Sequence, residues 1–154
     1  MLRVLKLAGI TVSLCFATAA NGQEIATIIP RAMNNLAHEY VICSAYFSVV
    51  AIAAENSNDP ELAEKYYAVA NAALENATMV GEEANLLPET HGARFDIAVK
   101  EMSDRIEGNT SNISILFAAH SDNCLTVMDD MTGTLDRFIS AEFERQHGYP
   151  MPRE

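Results

Sequence analysis

The sequence predicts an all-α protein: a four-helix bundle in up-down-up-down order, with a short amphipathic helix at its C-terminal end and a cleaved signal peptide in front. Three observations carry this. Apolar residues recur at spacings of three and four along most of the chain, and no stretch shows the strict alternation of a half-buried strand. Breaks at "NSNDP", "LPETHG", "GNTSN" and "TG" divide that pattern into helix-length pieces joined by short connections, as antiparallel neighbours require. The first residues follow a different rule from the rest.

Arg3 and Lys6 precede an apolar run from Leu7 to Ala17, and Ala17-Thr18-Ala19 supplies the small-x-small pattern of a signal-peptidase site. Cleavage is expected after Ala19 or Ala20, with Gly22 as the outer limit. The apolar run is too short to cross a hydrocarbon layer of about 30 Å, which takes roughly 20 residues, so no stable membrane anchor is expected once it is removed. Cys15 follows Leu14, where a lipoprotein site needs a small residue. Residues 1–20 are therefore read as the signal, 24–147 as a single helical-bundle domain, and 148–154 as a flexible tail. The expected location is periplasmic or secreted.

Losing Arg3 and Lys6 takes the net charge from −11 to −13. Such a surface repels phosphate backbones, so nucleic acid is not an expected partner. Asn76, Asn109 and Asn112 sit in short glycosylation patterns, which carry no weight without a eukaryotic secretory context.

The first bundle helix is expected to start near Pro30, with proline at its first position, and to run to about Asn56. Its seam is Leu36, Tyr40, Cys43, Phe47, Val50 and Ala54. "YVICSAYFSVVAIAA", residues 40–54, is apolar on every side except at Ser44 and Ser48, and at 15 residues it reads as a buried helix rather than a span. The bundle itself is the expected cover, and a second copy of the chain is the alternative. Ser44 and Ser48, one turn apart, offer a strip where another helix can approach closely.

Asp59-Pro60-Glu61 is a helix start: a capping side chain, a proline with no donor to lose, and an acid at the positive end. The second helix should run from Pro60 to about Leu87, with Leu62, Tyr66, Val69 or Ala70, Ala73, Ala77 and Val80 inward. Gly81 weakens its end by about 1 kcal/mol relative to alanine. The third, Glu89 to Glu107, should bury Phe95, Ala98 or Val99, Met102 and Ile106, with Asp96–Lys100 and Glu101–Arg105 paired outside. The fourth carries Ile113, Phe117, His120, Cys124, Val127 or Met128, and Met131, until Thr132-Gly133 breaks it. The terminal helix presents Leu135, Phe138, Ile139 and Phe143.

Removing Cys15 with the signal leaves Cys43 and Cys124, which an oxidising compartment would join. Each lies near the middle of its helix, on an inward seam, and the first and last helices of such a bundle are antiparallel neighbours. Middle therefore meets middle, and a disulfide across 81 residues is expected. The competing reading makes the same residues metal ligands. Glu39 and Cys43 are i,i+4 on one helix and His120 and Cys124 are i,i+4 on the other, a four-ligand set suited to zinc or copper. A core histidine is the commoner role for His120. One Glu-x-x-His run, Glu144 to His147, falls short of the two a di-iron bundle needs. The methionines fall on or beside core seams and read as gap fillers.

"PETHGAR" places Glu89, His91 and Arg94 at a helix start, a weak candidate for ligand binding. There is no glycine-rich phosphate loop and no nucleophile motif, and no carboxylates face each other on inner seams. The sequence thus points away from catalysis and toward an exported binding, accessory or inhibitory module. It would be clamped by one disulfide and would act on an unknown protein or small ligand.

Overall fold

The computed structural model describes the backbone of residues 4–151 and the side chains of residues 26–151. The signal-peptide expectation rests on side chains outside that range, as do the last three residues of the expected tail. All regular structure among the described residues is helical: α1 (Val4–Asn56), α2 (Pro60–Glu83), α3 (Pro88–Arg105), a 3₁₀ turn (Thr110–Asn112), α4 (Ser114–Asp129) and α5 (Met131–His147).

α1 is the axis of the bundle and touches each of the other four helices. Ala37, Tyr40, Val41, Cys43, Ala45 and Ala51 have no exposed surface, and Tyr46 and Ser44 have almost none. The cover for the all-apolar stretch therefore comes from the chain itself. Residues 26–56 of α1, a longer stretch than residues 40–54 alone, are by length and composition sufficient to cross a membrane. However, 72% of the most apolar window is buried within the protein, which marks a core helix.

Pro30 lies inside α1 rather than at its first position. Proline removes one helical hydrogen bond and crowds the preceding turn, but the helix propagates upstream of it all the same.

Asp59 does cap α2: its Oδ1 accepts the Leu62 N–H at 3.0 Å. The face that α2 buries is its alanine face, Ala63, Ala70, Ala73 and Ala77, with Val80. Leu62, expected inward, is exposed, and of the pair Val69 or Ala70 it is Ala70 that is buried. Small side chains let α2 lie close on α1, and that closeness turns the larger residues to the rim.

α1, α2 and α3 end in the same way. The αL residues Asn58, Asn85 and Glu107 are each followed by a backbone N–H that reaches the carbonyl five residues back: Asp59 to Ala54, Leu86 to Gly81 and Gly108 to Ser103. These are Schellman turns, which satisfy carbonyls otherwise left open at a helix end. α2 consequently stops at Glu83, short of the expected Leu87. A 3₁₀ turn separates α3 from α4, with Asn109 accepting the Ser111 N–H.

The break after α4 falls at Asp130, not at Thr132-Gly133. Asp130 caps α5 by accepting the Gly133 N–H at 2.8 Å. A side chain at Gly133 would meet the Asp130 carboxylate at 2.2 Å, so this glycine makes room for a cap rather than ending a helix. α5 is not short, at 17 residues, and it packs on α1.

Candidate functional site

The expected disulfide, Cys43–Cys124, joins the C-terminal part of α1 to α4, with Cα atoms 5.3 Å apart and both residues fully buried. The register that produced it differs by one residue above the bridge. In the first turns of α4 it is Leu116 that is fully buried, while Phe117, expected inward, is exposed and lies edge-on to Tyr46 at 6.1 Å. With both sulfurs in the bridge, the four-ligand metal set has lost its thiolates. Glu39 is also turned to other use, accepting from Asn123 Nδ2 at 2.8 Å. No group of three metal-ligating side chains occurs among the described residues.

His120, one turn before Cys124, lines a cleft of about 280 Å³ between α1, α3 and α4. Ile42, Ala98 and Met102 form its apolar floor, and Glu101 and Arg105 stand at its α3 edge. The His120 ring packs on Tyr46 at 5.8 Å. Burial first, then the Arg105 guanidinium, lower its pKa from the ordinary value against a smaller upward pull from Glu39. It is therefore neutral at pH 7 and presents one donor and one acceptor. The expected outer pairs on α3 are replaced: Lys100 bonds forward to Asp104, and Arg105 turns to the cleft.

A second cavity, of about 300 Å³, lies under α5 and contains Glu39, Asn123, Thr134 and Arg137. Its polar groups already serve one another: Asn123 donates to Glu39, and Arg137 donates to Thr134 Oγ1 at 3.2 Å. A third, of about 210 Å³, is mostly apolar and is bounded by Val50, Leu62, Tyr66, Ile113 and Phe117.

Of the "PETHGAR" residues, Glu89 stays outside while His91 and Arg94 turn in. The His91 ring lies on the backbone of α2 at Gly81, where an added Cβ would sit 2.2 Å from Nε2. Gly81 is thus the seat of the imidazole, a role that its helix propensity does not reveal. Both ring nitrogens of His91 are shut off from solvent and bond to no described residue. Burial, then Arg94, lower the His91 pKa. Arg94 Nη2 donates to Asn34 Oδ1 at 2.9 Å, which ties α3 to α1.

Sequence reasoning found the bridge and His120 but missed the cleft. Glu101 and Arg105 carry the i,i+4 spacing of a solvated pair, and nothing in that spacing tells which charge faces α4. No family model, no curated protein and no solved structure matches this chain.

Proposed function

We propose that this is an exported binding module of the periplasm or exterior, non-catalytic and clamped by its disulfide. The buried Cys43–Cys124 bridge is the observation that supports this reading most directly. Such bonds persist in oxidising compartments and are rare where thiols are kept reduced, and the leader-like pattern of the first 20 residues agrees with that. Binding rather than catalysis is favoured by the cleft itself. Its lining, Ile42, Ala98, Glu101, Met102, Arg105 and His120, joins groups that hold a ligand to an apolar floor and supplies no hydroxyl or thiol nucleophile. The acidic surface argues against nucleic acid and leaves a small ligand or a protein as partner.

The test is the intact mass of protein recovered from the export compartment, before and after reduction. The expected result is a chain that starts between Ala20 and Gln23 and gains about 2 Da on reduction, the two hydrogens of an opened disulfide. Free thiols in the recovered protein, or a chain retained inside the cell with residues 1–20 in place, would overturn the proposal.

A further inference from the structure

The cleft between α1, α3 and α4 differs from the cavity under α5 in one respect that bears on ligands. Under α5 each charged group has a neutral side-chain partner: Asn123 donates to Glu39 across from α4, and Arg137 donates to Thr134 within α5. In the cleft, neither Glu101 nor Arg105 is held in a salt bridge among the described residues, although their i,i+4 spacing on α3 would allow one. Lys100, the other cation close by, is engaged by Asp104. His120 makes no hydrogen bond to a described residue. A carboxylate and a guanidinium, both reached by solvent, and a half-buried imidazole thus border one small space without a salt bridge or hydrogen bond to one another.

Their signs narrow what could enter. A plain anion would gain Arg105 but face the Glu101 carboxylate. A plain cation would gain Glu101 but face Arg105. A molecule carrying both charges on a short frame meets each with its opposite. The floor of Ile42, Ala98 and Met102 requires that the rest of the molecule be apolar. The volume, about 280 Å³, lies just under the range of roughly 300–1,000 Å³ in which drug-sized ligands are bound, so the molecule is small.

We infer that the cleft binds a small zwitterion with an apolar body, of which a free aliphatic or thioether α-amino acid is the simplest example. Its carboxylate would lie on Arg105 and the His120 N–H, its ammonium on Glu101, and its side chain on Ile42, Ala98 and Met102. The bridge at Cys124, one turn beyond His120, fixes the α4 wall against α1. This assignment rests on the binding-module reading and names the ligand class of the same site.

The experiment is calorimetric titration of the oxidised, full mature chain with L-leucine and L-methionine, and with N-acetyl-leucine and leucinamide as the singly charged analogues. Binding of the free amino acids is expected, weakened about tenfold or more by blocking either charge, as for the loss of one charge-assisted contact. Arg105→Gln should abolish the preference for leucine over leucinamide, and Glu101→Gln the preference for leucine over N-acetyl-leucine, with the fold of both variants checked by unchanged melting. No heat from any probe at about 10 mM, or equal affinity for all three leucine forms, would overturn the assignment. The recovered mass decides the compartment and discrimination among ligands decides this proposal, so each fails by its own readout.

Discussion

α1 and α4 are joined by one covalent bond but bury their side chains very differently. α1 buries most of its side chains between Leu36 and Ala54, on every side. α4 buries only Leu116, Cys124 and Val127 of its sixteen residues, and it exposes Ile115, Phe117 and Leu125. The first helix is held by packing, which is non-directional and spread over many contacts. The second is held at three buried positions, Leu116, Cys124 and Val127, one of which is covalent. A bundle can thus place a helix with a poor apolar stripe at a defined register, provided a bond does what the stripe cannot. His120 keeps its position on the cleft by the same means.

The sharpest way to break this contrast is to remove the bond. Cys43→Ala with Cys124→Ala should cost up to about 4.5 kcal/mol in urea denaturation, the chain-entropy value for a loop of this length, out of a typical stability of roughly 5–15 kcal/mol. Hydrogen exchange in the variant should accelerate through α4 while the centre of α1 stays protected. Equal acceleration in both helices would show that α4 is held by packing after all.

Leu116→Ala comes next, at about 3 kcal/mol for a fully buried leucine, against under about 1 kcal/mol for removing the Leu125 side chain from the exposed face. Similar losses at both positions would contradict the register seen in α4.

Gly81 and His91 sharpen the comparison from the α2–α3 side, where no covalent bond acts. Gly81→Ala should destabilise by about 1–3 kcal/mol, since the methyl group would meet the imidazole. With His91→Ala already in place, the same substitution should become neutral or stabilising by up to about 1 kcal/mol through helix propensity. A loss that persists in that background would mean the His91 ring is not what the methyl group meets.

The smallest expected effect is on pH dependence. The folded-state pKa of His91 lies below its unfolded value of about 6.5, because burial and Arg94 oppose the charged ring. The unfolded chain therefore binds the proton first as pH falls. Stability is full above that unfolded value and declines as pH drops below it, by at most about 1.4 kcal/mol per pH unit for one proton. His120 contributes with the same sign. Thermal melts between pH 7 and 5 should show that decline, and His91→Leu should flatten it in part; an unchanged slope would assign the effect elsewhere.

Much of this was legible in the residues, and the rest was not for stateable reasons. Periodicity and the Asp59-Pro60 start located the helices, because capping and apolar spacing are local. The end of α2 was misplaced because Asn85, not glycine, takes the αL position, and an asparagine in a helical context carries no unambiguous stop. Asp130 and Gly133 were misread together: the break was assigned to the glycine when the aspartate makes it. Leu62 and Phe117 read as inward because a large apolar residue on a seam outranks its smaller neighbours in any pattern count. In α2, close approach to α1 reverses that ranking.

By itself the sequence determined that the chain is helical, that its most apolar segment must be enclosed, and that Cys43 and Cys124 stand at matching heights. These follow from local backbone preference and from the periods of apolar residues, which neighbours along the chain carry. Tertiary structure alone decided that residues 36–54 of α1 are enclosed within one chain, that Gly81 seats an imidazole, and that Arg105 lines a cleft with His120 instead of pairing with Glu101. Each of those depends on which helix lies opposite, and side chains distant in sequence make that choice through packing volume and charge.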